Sequence, residues 1–302
     1  MQSGWCPAGL NPQAGLVQVP SGSLYGTTSW GGANGDGVVF SLALQPQDTL
    51  SINPGGIVNA ADYAAQVAPG SIASAFGNFP LPSLLEDQSL PVATSLAGFS
   101  LPWSSLCAPG GSVCPQISLA GFAPLFLVGG GQVNLQIPWE MAPNMAGQSQ
   151  WHNLMAAELN GQSGATQTVN VVQFAPGIFT TNSQGTGPGA ILDSSYRLVD
   201  SSNPVSAGTN ILIYGTGLGA VTNQPDTGSP ALANRLSWTT NIPAVTIGGT
   251  PAPVSFYGLA PGYVGLYQVN AQVPAGLAAN GATPVSLYIG GVQSNTVTIA
   301  VQ

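Results

Sequence analysis

Apolar and polar residues alternate along short runs of this chain, and glycine or proline bounds most of the runs. A period of two places one side of a β-strand in a core and the other side in solvent. Many short strands separated by turn residues are typical of β-sandwiches, so the alternation predicts an all-β fold. Its clearest examples lie near the C-terminus: Val245 and Ile247, Val254 and Phe256, Val285, Leu287 and Ile289, and Val297, Ile299 and Val301.

The chain carries this pattern twice. Residues 132–138, Gln-Val-Asn-Leu-Gln-Ile-Pro, match residues 268–274, Gln-Val-Asn-Ala-Gln-Val-Pro. Two further pairs of blocks match on either side, and each contains turn residues followed by an alternating run. Self-similarity of this kind indicates a duplicated structural unit of about 120 residues that fills residues 52–302. The flanking blocks are residues 68–77 with 206–215 and residues 160–172 with 290–301.

We therefore expect two tandem immunoglobulin-like β-sandwiches, over residues 52–174 and 175–302. They would be joined near residues 174–181. The dipeptides Asn160-Gly161 and Gly290-Gly291 favour hairpin turns at equivalent places in the two copies.

The first 51 residues do not share the repeat and predict an N-terminal β-extension. Strand-forming pieces cover Leu16–Pro20, Leu24–Thr28 and Val38–Leu44, and residues 34–37, Asn-Gly-Asp-Gly, favour a tight turn. A lone hairpin is only marginally stable in water. The extension must therefore pair with other strands, either on the first sandwich of its own chain or on a neighbouring chain.

Charged residues are scarce, and this limits the classes of partner that the chain could bind. Charged residues make up 4% of the chain, there is no lysine, and the net charge is -8. Two arginines, Arg197 and Arg235, cannot neutralise a nucleic acid backbone, and anionic membrane surfaces are disfavoured for the same reason. No apolar run reaches the ~18 residues of a membrane span, so we expect no membrane insertion. The N-terminus does not read as a signal peptide, which predicts a removed signal or a fragment.

Three cysteines are present. Cys107 and Cys114 bracket a short loop, and we expect them to form a disulfide in an oxidising compartment. A metal site is disfavoured because no histidine or further cysteine lies nearby. Cys6 is left over, and it is free, pairs between chains or reflects where the chain begins.

Several blocks of residues together resemble a known family. They are residues 58–61, 68–71, 132–134, 175–180, 214–219 and 260–270. With them, residues 52–302 resemble the uncharacterised C-terminal domain of many large secreted proteins of Acidobacteria, known from Solibacter. Residues 22–42 resemble one unit of the GloVer-type tandem repeat of such proteins, whose relatives carry many units. The resemblance implies an extracellular or cell-surface setting and Ig-like domains, and it supplies no catalytic residue.

Candidate catalytic and metal-binding residues are few. His152 is the only histidine, and no Gly-x-Ser-x-Gly elbow accompanies it. Glu86 and Asp87 are adjacent in a proline-rich loop, and Glu140 follows a strand end, so solvated charge is the favoured interpretation over a glycosidase pair. Asp193 and Asp200 flank a predicted hairpin, where a calcium site is the alternative. We therefore predict no catalytic residue, no metal and no cofactor.

Two further stretches invite a functional interpretation. Residues 214–219, Tyr-Gly-Thr-Gly-Leu-Gly, resemble a dinucleotide fingerprint, but no helix is predicted after them, so a turn between strands is favoured. Aromatic residues near the C-terminus could form a sugar-stacking patch, although a core role is more common for such residues. They are Trp238, Tyr257, Tyr263 and Tyr267.

The sequence thus favours a secreted, non-enzymatic structural or adhesive protein that acts through its surfaces. The alternative is a carbohydrate-binding or accessory module, with glycans as partners. The extension suggests self-assembly into a filament by β-strand addition, because unpaired strand edges recruit further strands and no lysine protects them. The segment expected to mediate assembly comprises Leu24, Tyr25, Trp30, Val38, Val39 and Phe40.

Overall fold

A computed structural model describes residues 9–19, 24–42, 49–107, 118–144 and 151–302. The chain forms two compact units, residues 1–49 and 50–302. All regular elements in the described ranges are β-strands, which confirms the predicted all-β class. In those ranges no helix is long and apolar enough to cross a membrane.

The N-terminal unit contains a small antiparallel sheet. β3 lies at its centre, pairing with β1 and β2 on one side and with β4 on the other. The predicted hairpin is therefore present as β3 and β4, and the two preceding short strands supply its third and fourth members. Gly37 in the turn has φ of +91°, and a Cβ there would lie 2.0 Å from Thr28 O, so only glycine fits. The strands are β1 (Leu10–Pro12), β2 (Val17–Gln18), β3 (Leu24–Trp30) and β4 (Val39–Leu42).

The first sandwich follows. Its front sheet has the strand order β5-β6-β13-β12-β7, and the sheet β11-β10-β14-β17 and the small sheet β16-β15-β9-β8 complete it. Its strands are β5 (Ser51–Asn59), β6 (Ile72–Asn78), β7 (Leu85–Glu86), β8 (Ser95–Leu96), β9 (Phe99–Ser100), β10 (Pro102–Cys107), β11 (Ser118–Phe122), β12 (Leu125–Val128), β13 (Gln132–Gln136), β14 (Trp151–Met155), β15 (Glu158–Leu159), β16 (Gln162–Ser163) and β17 (Gln167–Thr168).

The second sandwich repeats this plan. Its front sheet has the order β18-β21-β25-β24, with β20 also paired to β21, and the facing sheet has the order β19-β28-β26-β22-β23, with β27 on β26. Its strands are β18 (Gly177–Ile178), β19 (Gly187–Pro188), β20 (Ile191–Asp193), β21 (Asn210–Thr216), β22 (Ala244–Ile247), β23 (Thr250–Ala252), β24 (Val254–Leu259), β25 (Tyr267–Gln272), β26 (Asn280–Ile289), β27 (Val292–Gln293) and β28 (Val297–Val301).

Each sandwich has its own core. The inward residues of its front sheet pack against those of the facing sheet, as the period of two requires. In the first sandwich Ala75 and Leu135 face Trp103 and Met155, and all four are buried. The second core includes Phe174, which sequence matching places at the end of the first copy. The members of the second core lie between residues 174 and 301.

A β-bulge breaks the predicted alternation in β24. The pairing register shifts between Val254, which lies opposite the buried Ala271, and Phe256, which lies opposite Asn270. Phe256 therefore points away from the core, and Tyr257 packs against the core in its place. The expectation that Val254 and Phe256 share one face is wrong, because a bulge adds one residue and reverses the side of those that follow.

Candidate functional site

The two sandwiches meet at a junction held by buried polar side chains. Asn59, at the end of β5, donates a hydrogen bond from Nδ2 to Ala175 O at 2.7 Å. Thr216, at the end of β21, accepts one from Ile72 N at 2.8 Å and donates one to Gly265 O at 3.1 Å. The bonds of Asn59 to Ala175 and of Ile72 to Thr216 cross between the sandwiches. Separation would leave those groups unpaired unless water replaced each bond.

More contacts lie farther along the same junction. Gly228 N donates to Gln136 Oε1 at 2.7 Å. Thr227 donates from Oγ1 to the Glu140 carboxylate at 2.7 Å and accepts from Trp139 N at 3.0 Å. The Trp139 ring packs against the second core. Glu140 is exposed, as the sequence indicates, but it also links the two sandwiches.

The glycine-rich residues 214–219 serve this junction. Gly217 has φ of +79°, and a Cβ there would lie 1.8 Å from Ala175 O. Its own carbonyl accepts a hydrogen bond from Ala175 N at 2.9 Å. Gly219 has φ of +82°, and a Cβ there would lie 2.8 Å from the Phe174 ring. These glycines let the connecting segment approach the end of β21, which explains the motif without a bound nucleotide.

The outward side of each front sheet carries the same set of residues. In the first sandwich Phe76 on β6 lies directly opposite Gln132 on β13, and Asn134 follows two residues later. The Gln132 side chain donates to Asn134 Oδ1 at 2.8 Å. An open groove of about 490 Å³ lies here, lined also by Leu84, Leu127 and the glycines 129–131.

The second sandwich reproduces these positions. Tyr214 on β21 lies opposite Gln268 on β25, and Gln268 donates to Asn270 Oδ1 at 2.8 Å. Phe256 lies beside Asn270, as Leu127 lies beside Asn134. The repeated Gln-Val-Asn motif is therefore a buried valine between two outward amides that bind each other.

A tyrosine in a left-handed backbone conformation adds to each face. Tyr63 has φ of 62° and Tyr196 has φ of 60°, a conformation that is costly for a bulky residue. The Tyr63 ring lies 6.1 Å from that of Phe76. Partial burial, followed by the proximity of Tyr196 and Tyr263, raises the pKa of Tyr214. Each face thus presents an aromatic cluster beside an amide pair.

The four aromatic residues considered for a sugar-stacking patch do not form one, and the favoured core role holds for Tyr267. Tyr267 is completely buried and donates from its hydroxyl to Gly219 O. Burial raises the pKa of the Tyr267 phenol. Trp238 packs edge-on against Tyr257 and Phe256, with ring centroids 5.2 and 4.9 Å apart. Of the four residues, only Tyr263 is strongly exposed.

Asp193 has a structural partner for each oxygen. Oδ1 accepts from Ser195 N and Arg197 N, and Oδ2 accepts from Asn203 Nδ2 and pairs with the Arg197 guanidinium at 2.8 Å. The hydrogen bond from Arg197 N, followed by that from Asn203, lowers the pKa of Asp193. Asp200 likewise caps its own turn through Ser202. These carboxylates stabilise turns and do not converge on a cation.

The other candidates are dispersed. Asp87 accepts from Ala93 N and Ser89, and these hydrogen bonds, that from Ala93 first, lower its pKa. Glu86 and His152 are exposed on β7 and β14. Among the described residues no three acidic, histidine or cysteine side chains are grouped so that they could hold a metal.

The predicted assembly segment lies in the N-terminal sheet. Leu24, Tyr25 and Trp30 are on β3, Val39 and Phe40 are on β4, and Val38 precedes β4. Val39 is 73% exposed and Trp30 is 65% exposed. Cys6 and Cys114 lie outside the described residues, so the Cys107–Cys114 disulfide stays a prediction.

Sequence reasoning missed the junction residues Asn59, Gln136 and Thr216. Alignment of the two copies contains a signal for one of them. Asn59 and Asp193 occupy the same register position, opposite Ala73 and Ile211, so an amide in one copy is a carboxylate in the other. No comparable signal marks Thr216.

Comparison with known proteins gives one family match. Residues 196–301 match the IPT/TIG domain, and this stretch is less than half of the chain. No curated protein sequence matches the chain. The resemblance of residues 52–302 to the Acidobacteria domain, and of residues 22–42 to the GloVer repeat, stays a prediction.

Solved structures align only loosely. The BSP domain of a biofilm-associated protein is 14% identical, over 80% of this chain and 28% of that chain, with a TM-score of 0.24. The titin I9–I11 tandem is 9% identical, over 78% of this chain and 62% of that chain, with a TM-score of 0.21. The C-terminal domain of the Streptococcus agalactiae AgI/II polypeptide BspA is 11% identical, over 83% of this chain and 99% of that chain, with a TM-score of 0.16. The chain thus spans less than two thirds of the first two structures, and its immunoglobulin-like architecture rests on its strand pairing and the IPT/TIG match.

Proposed function

We propose that the chain is a secreted, non-enzymatic structural or adhesive protein of the cell surface. Its N-terminal sheet would add strands to neighbouring copies and so build a filament. Two rigidly joined sandwiches would form the body of each subunit. The observation that carries this proposal is the exposed, apolar and open-edged sheet of residues 10–42.

The edge of that sheet is suited to strand addition. In the described part of the chain β4 pairs with β3 alone, so its outer edge has unpaired backbone groups. Such edges recruit further strands unless charge, proline or a covering segment protects them. The sequence of β4, Val-Phe-Ser-Leu, has none of these residues. Edge pairing with another copy would satisfy the backbone and cover Val39.

A repeated contact of this type builds an extended assembly. If the edge strand of one copy binds a different surface on the next copy, the contact is head-to-tail, and it builds an open filament when its rotation does not close a ring. The scarcity of charge lowers the repulsion between copies. Both features favour a filament over a closed dimer.

A non-enzymatic role agrees with the use of the polar residues. The candidate acid Asp193 binds its own turn, and Glu140 binds Thr227 across the junction. A carboxylate with such partners holds structure and is poorly placed to transfer protons to a substrate.

Size-exclusion chromatography with light scattering tests the assembly proposal. We expect the mass of the full-length protein to rise with concentration, and Val39→Lys to keep it monomeric because the charge blocks edge pairing. Ile242→Lys is the matched control, since Ile242 is 74% exposed in the second sandwich. It should leave assembly unchanged.

Deletion of residues 1–49 provides a second measurement. Residues 50–302 form a compact unit with two cores of their own, so the shortened protein should fold and stay monomeric. A full-length protein that is monomeric at all concentrations, or a deletion that leaves assembly unchanged, contradicts the proposal.

The Cys107–Cys114 disulfide belongs to the same proposal of a secreted protein. Intact-mass measurement with and without reductant should show a two-hydrogen difference. A thiol label on both residues without reductant would exclude the bond. Its loss should destabilise only mildly, because the loop that it closes is short.

A second candidate function is carbohydrate binding. The observation that favours it is the open groove beside Phe76, Gln132 and Asn134. Its volume of about 490 Å³ falls in the range of small-molecule sites. Binding to a panel of purified polysaccharides, measured by affinity electrophoresis, tests this function.

A further inference from the structure

The two amide pairs leave matching hydrogen-bonding groups on the outward faces. Since Gln132 and Gln268 each donate to the neighbouring asparagine Oδ1, the asparagine Nδ2 keeps its two hydrogens and the glutamine keeps Oε1. No hydrogen bond occupies Asn134 Nδ2 or Asn270 Nδ2 within the described residues. Each face therefore presents adjacent donors and an acceptor, which complement neighbouring hydroxyl groups.

Aromatic rings flank these amides. Phe76 and Tyr214 lie directly across from Gln132 and Gln268 on the same side of the sheet. Tyr196, in its left-handed turn, is 71% exposed. Exposed aromatic faces attract the C–H groups of a ligand, because the ring face is electron-rich. An amide pair between aromatic rings suits a ligand with both hydroxyl and C–H surfaces.

The two faces continue one another across the junction. The end of β5 meets the segment before β18, and the start of β6 meets the end of β21. Beyond them, the end of β13 meets the segment around Gly228. Since the neighbouring strands β5 and β6 meet β18 and β21 in the same order, the outward faces lie on one side of the tandem. We call the five rings along that side the aromatic strip: Tyr63, Phe76, Tyr196, Tyr214 and Tyr263.

The charges around the groove favour a neutral ligand over a polyanion. No charged side chain lines the groove, and Glu86, across from Leu127 on β7, places a carboxylate beside it. A polyanion would be repelled by this carboxylate and by the net charge of -8. Arg197, next to Tyr196, is already paired with Asp193. The ligand that fits is neutral and rich in hydroxyl groups.

We propose that the aromatic strip and its two amide pairs form one binding surface for a neutral polysaccharide chain. The rings stack on sugar faces, and the amides bind hydroxyl groups. This inference rests on the second candidate function, and names its site and ligand class. It is independent of filament formation, because it uses residues 63–270 and not the N-terminal sheet.

The test uses full-length protein and affinity electrophoresis in gels containing xylan, mixed-linkage β-glucan, dextran or the polyanion alginate. We expect binding to at least one neutral polymer and none to alginate. Tyr196→Ala, and Gln268→Ala with Asn270→Ala, should weaken binding at least about tenfold, or 1.4 kcal/mol. Tyr214→Phe should retain it, because the first sandwich has Phe76 at that position. Tyr288→Ala, on the opposite sheet, is the matched control.

The outcomes separate the inference from the function on which it rests. Retained binding in both the Tyr196→Ala and the double amide variant overturns the inference alone, and carbohydrate binding then occurs elsewhere. Absence of binding to every neutral polymer overturns both. Tighter binding to alginate than to neutral polymers overturns the assignment of ligand class. If Tyr196→Ala changes the oligomeric mass instead of glycan binding, the strip is a contact between copies and the inference fails.

Discussion

The equivalent ends of the two sandwiches have the same backbone plan but different neighbours. In the first, Gly70 N bonds Ile137 O at 2.8 Å, and in the second Gly208 N bonds Val273 O at the same distance. Asn59 of the first faces a whole domain and donates to Ala175 O. Asp193 of the second has the same register and accepts bonds from its own turn.

This difference shows that register fixes where a side chain lies, while its surroundings fix which chemistry is stable there. A carboxylate at position 59 would face a carbonyl oxygen, and two acceptors without a proton between them repel. An amide at position 193 could not pair with the Arg197 guanidinium as an ion. Each copy has the polar group that its own end requires.

The largest loss of stability should come from substitution of Gly217, whose lack of a side chain allows the close approach of Ala175 at the junction. Gly217→Ala should cost about 3 kcal/mol or more, because the new Cβ overlaps Ala175 O and φ is positive. Urea denaturation measures the free energy of unfolding. Gly208→Ala is the control, since φ is +81° there but the Cβ meets open space, and it should cost about 1 kcal/mol. Equal losses would show that the close approach at the junction is unimportant.

Exchange of the equivalent polar residues should have the next largest effect. Asn59→Asp should cost about 3 kcal/mol, because a buried carboxylate replaces the donor to Ala175 O. Asp193→Asn should cost less, since an amide oxygen can still accept from the turn. The comparison of the two sandwiches is wrong if Asn59→Asp is the milder of the two changes in urea denaturation.

Acid should weaken the second sandwich through Asp193. Its folded pKa lies below its unfolded value near 3.8, so the folded state binds protons less readily. The stabilisation is complete above pH 3.8 and is lost as pH falls through the folded pKa. Thermal unfolding between pH 5 and pH 2 should show a fall in Tm that is shallower in Asp193→Asn. Parallel pH profiles for the two proteins would contradict this.

The two left-handed tyrosines allow the smallest and most direct comparison. Tyr63 donates from its hydroxyl to Ser183 O at 2.8 Å across the junction. Tyr63→Phe should lower the free energy of unfolding by about 0.5–1 kcal/mol. Tyr196→Phe should leave it unchanged, because within the described residues the Tyr196 hydroxyl has no hydrogen-bond partner. A larger loss of stability for Tyr196→Phe than for Tyr63→Phe in urea denaturation would contradict the assignment of the stabilising hydrogen bond to Tyr63.

Local pattern predicted many of the strands, since burial of one face imposes a period of two. The matched motifs at residues 132 and 268 became equivalent strands, β13 and β25. The glycine dipeptides became hairpin turns, with positive φ at Asn160, Gly161, Gly290 and Gly291. Pattern failed at Phe256, because a bulge depends on how a strand fits its neighbour and leaves no mark in the alternation.

The sequence by itself determined the all-β class, the duplication and the glycine-rich turns. These follow from side-chain period and from backbone conformations that only certain residues adopt. Tertiary structure alone decided that Asn59 and Thr216 join two domains and that Tyr267 is core while Tyr196 is surface. The junction roles depend on contacts between residues more than a hundred positions apart, as between Asn59 and Ala175. Local pattern encodes neither these contacts nor the burial of Tyr267.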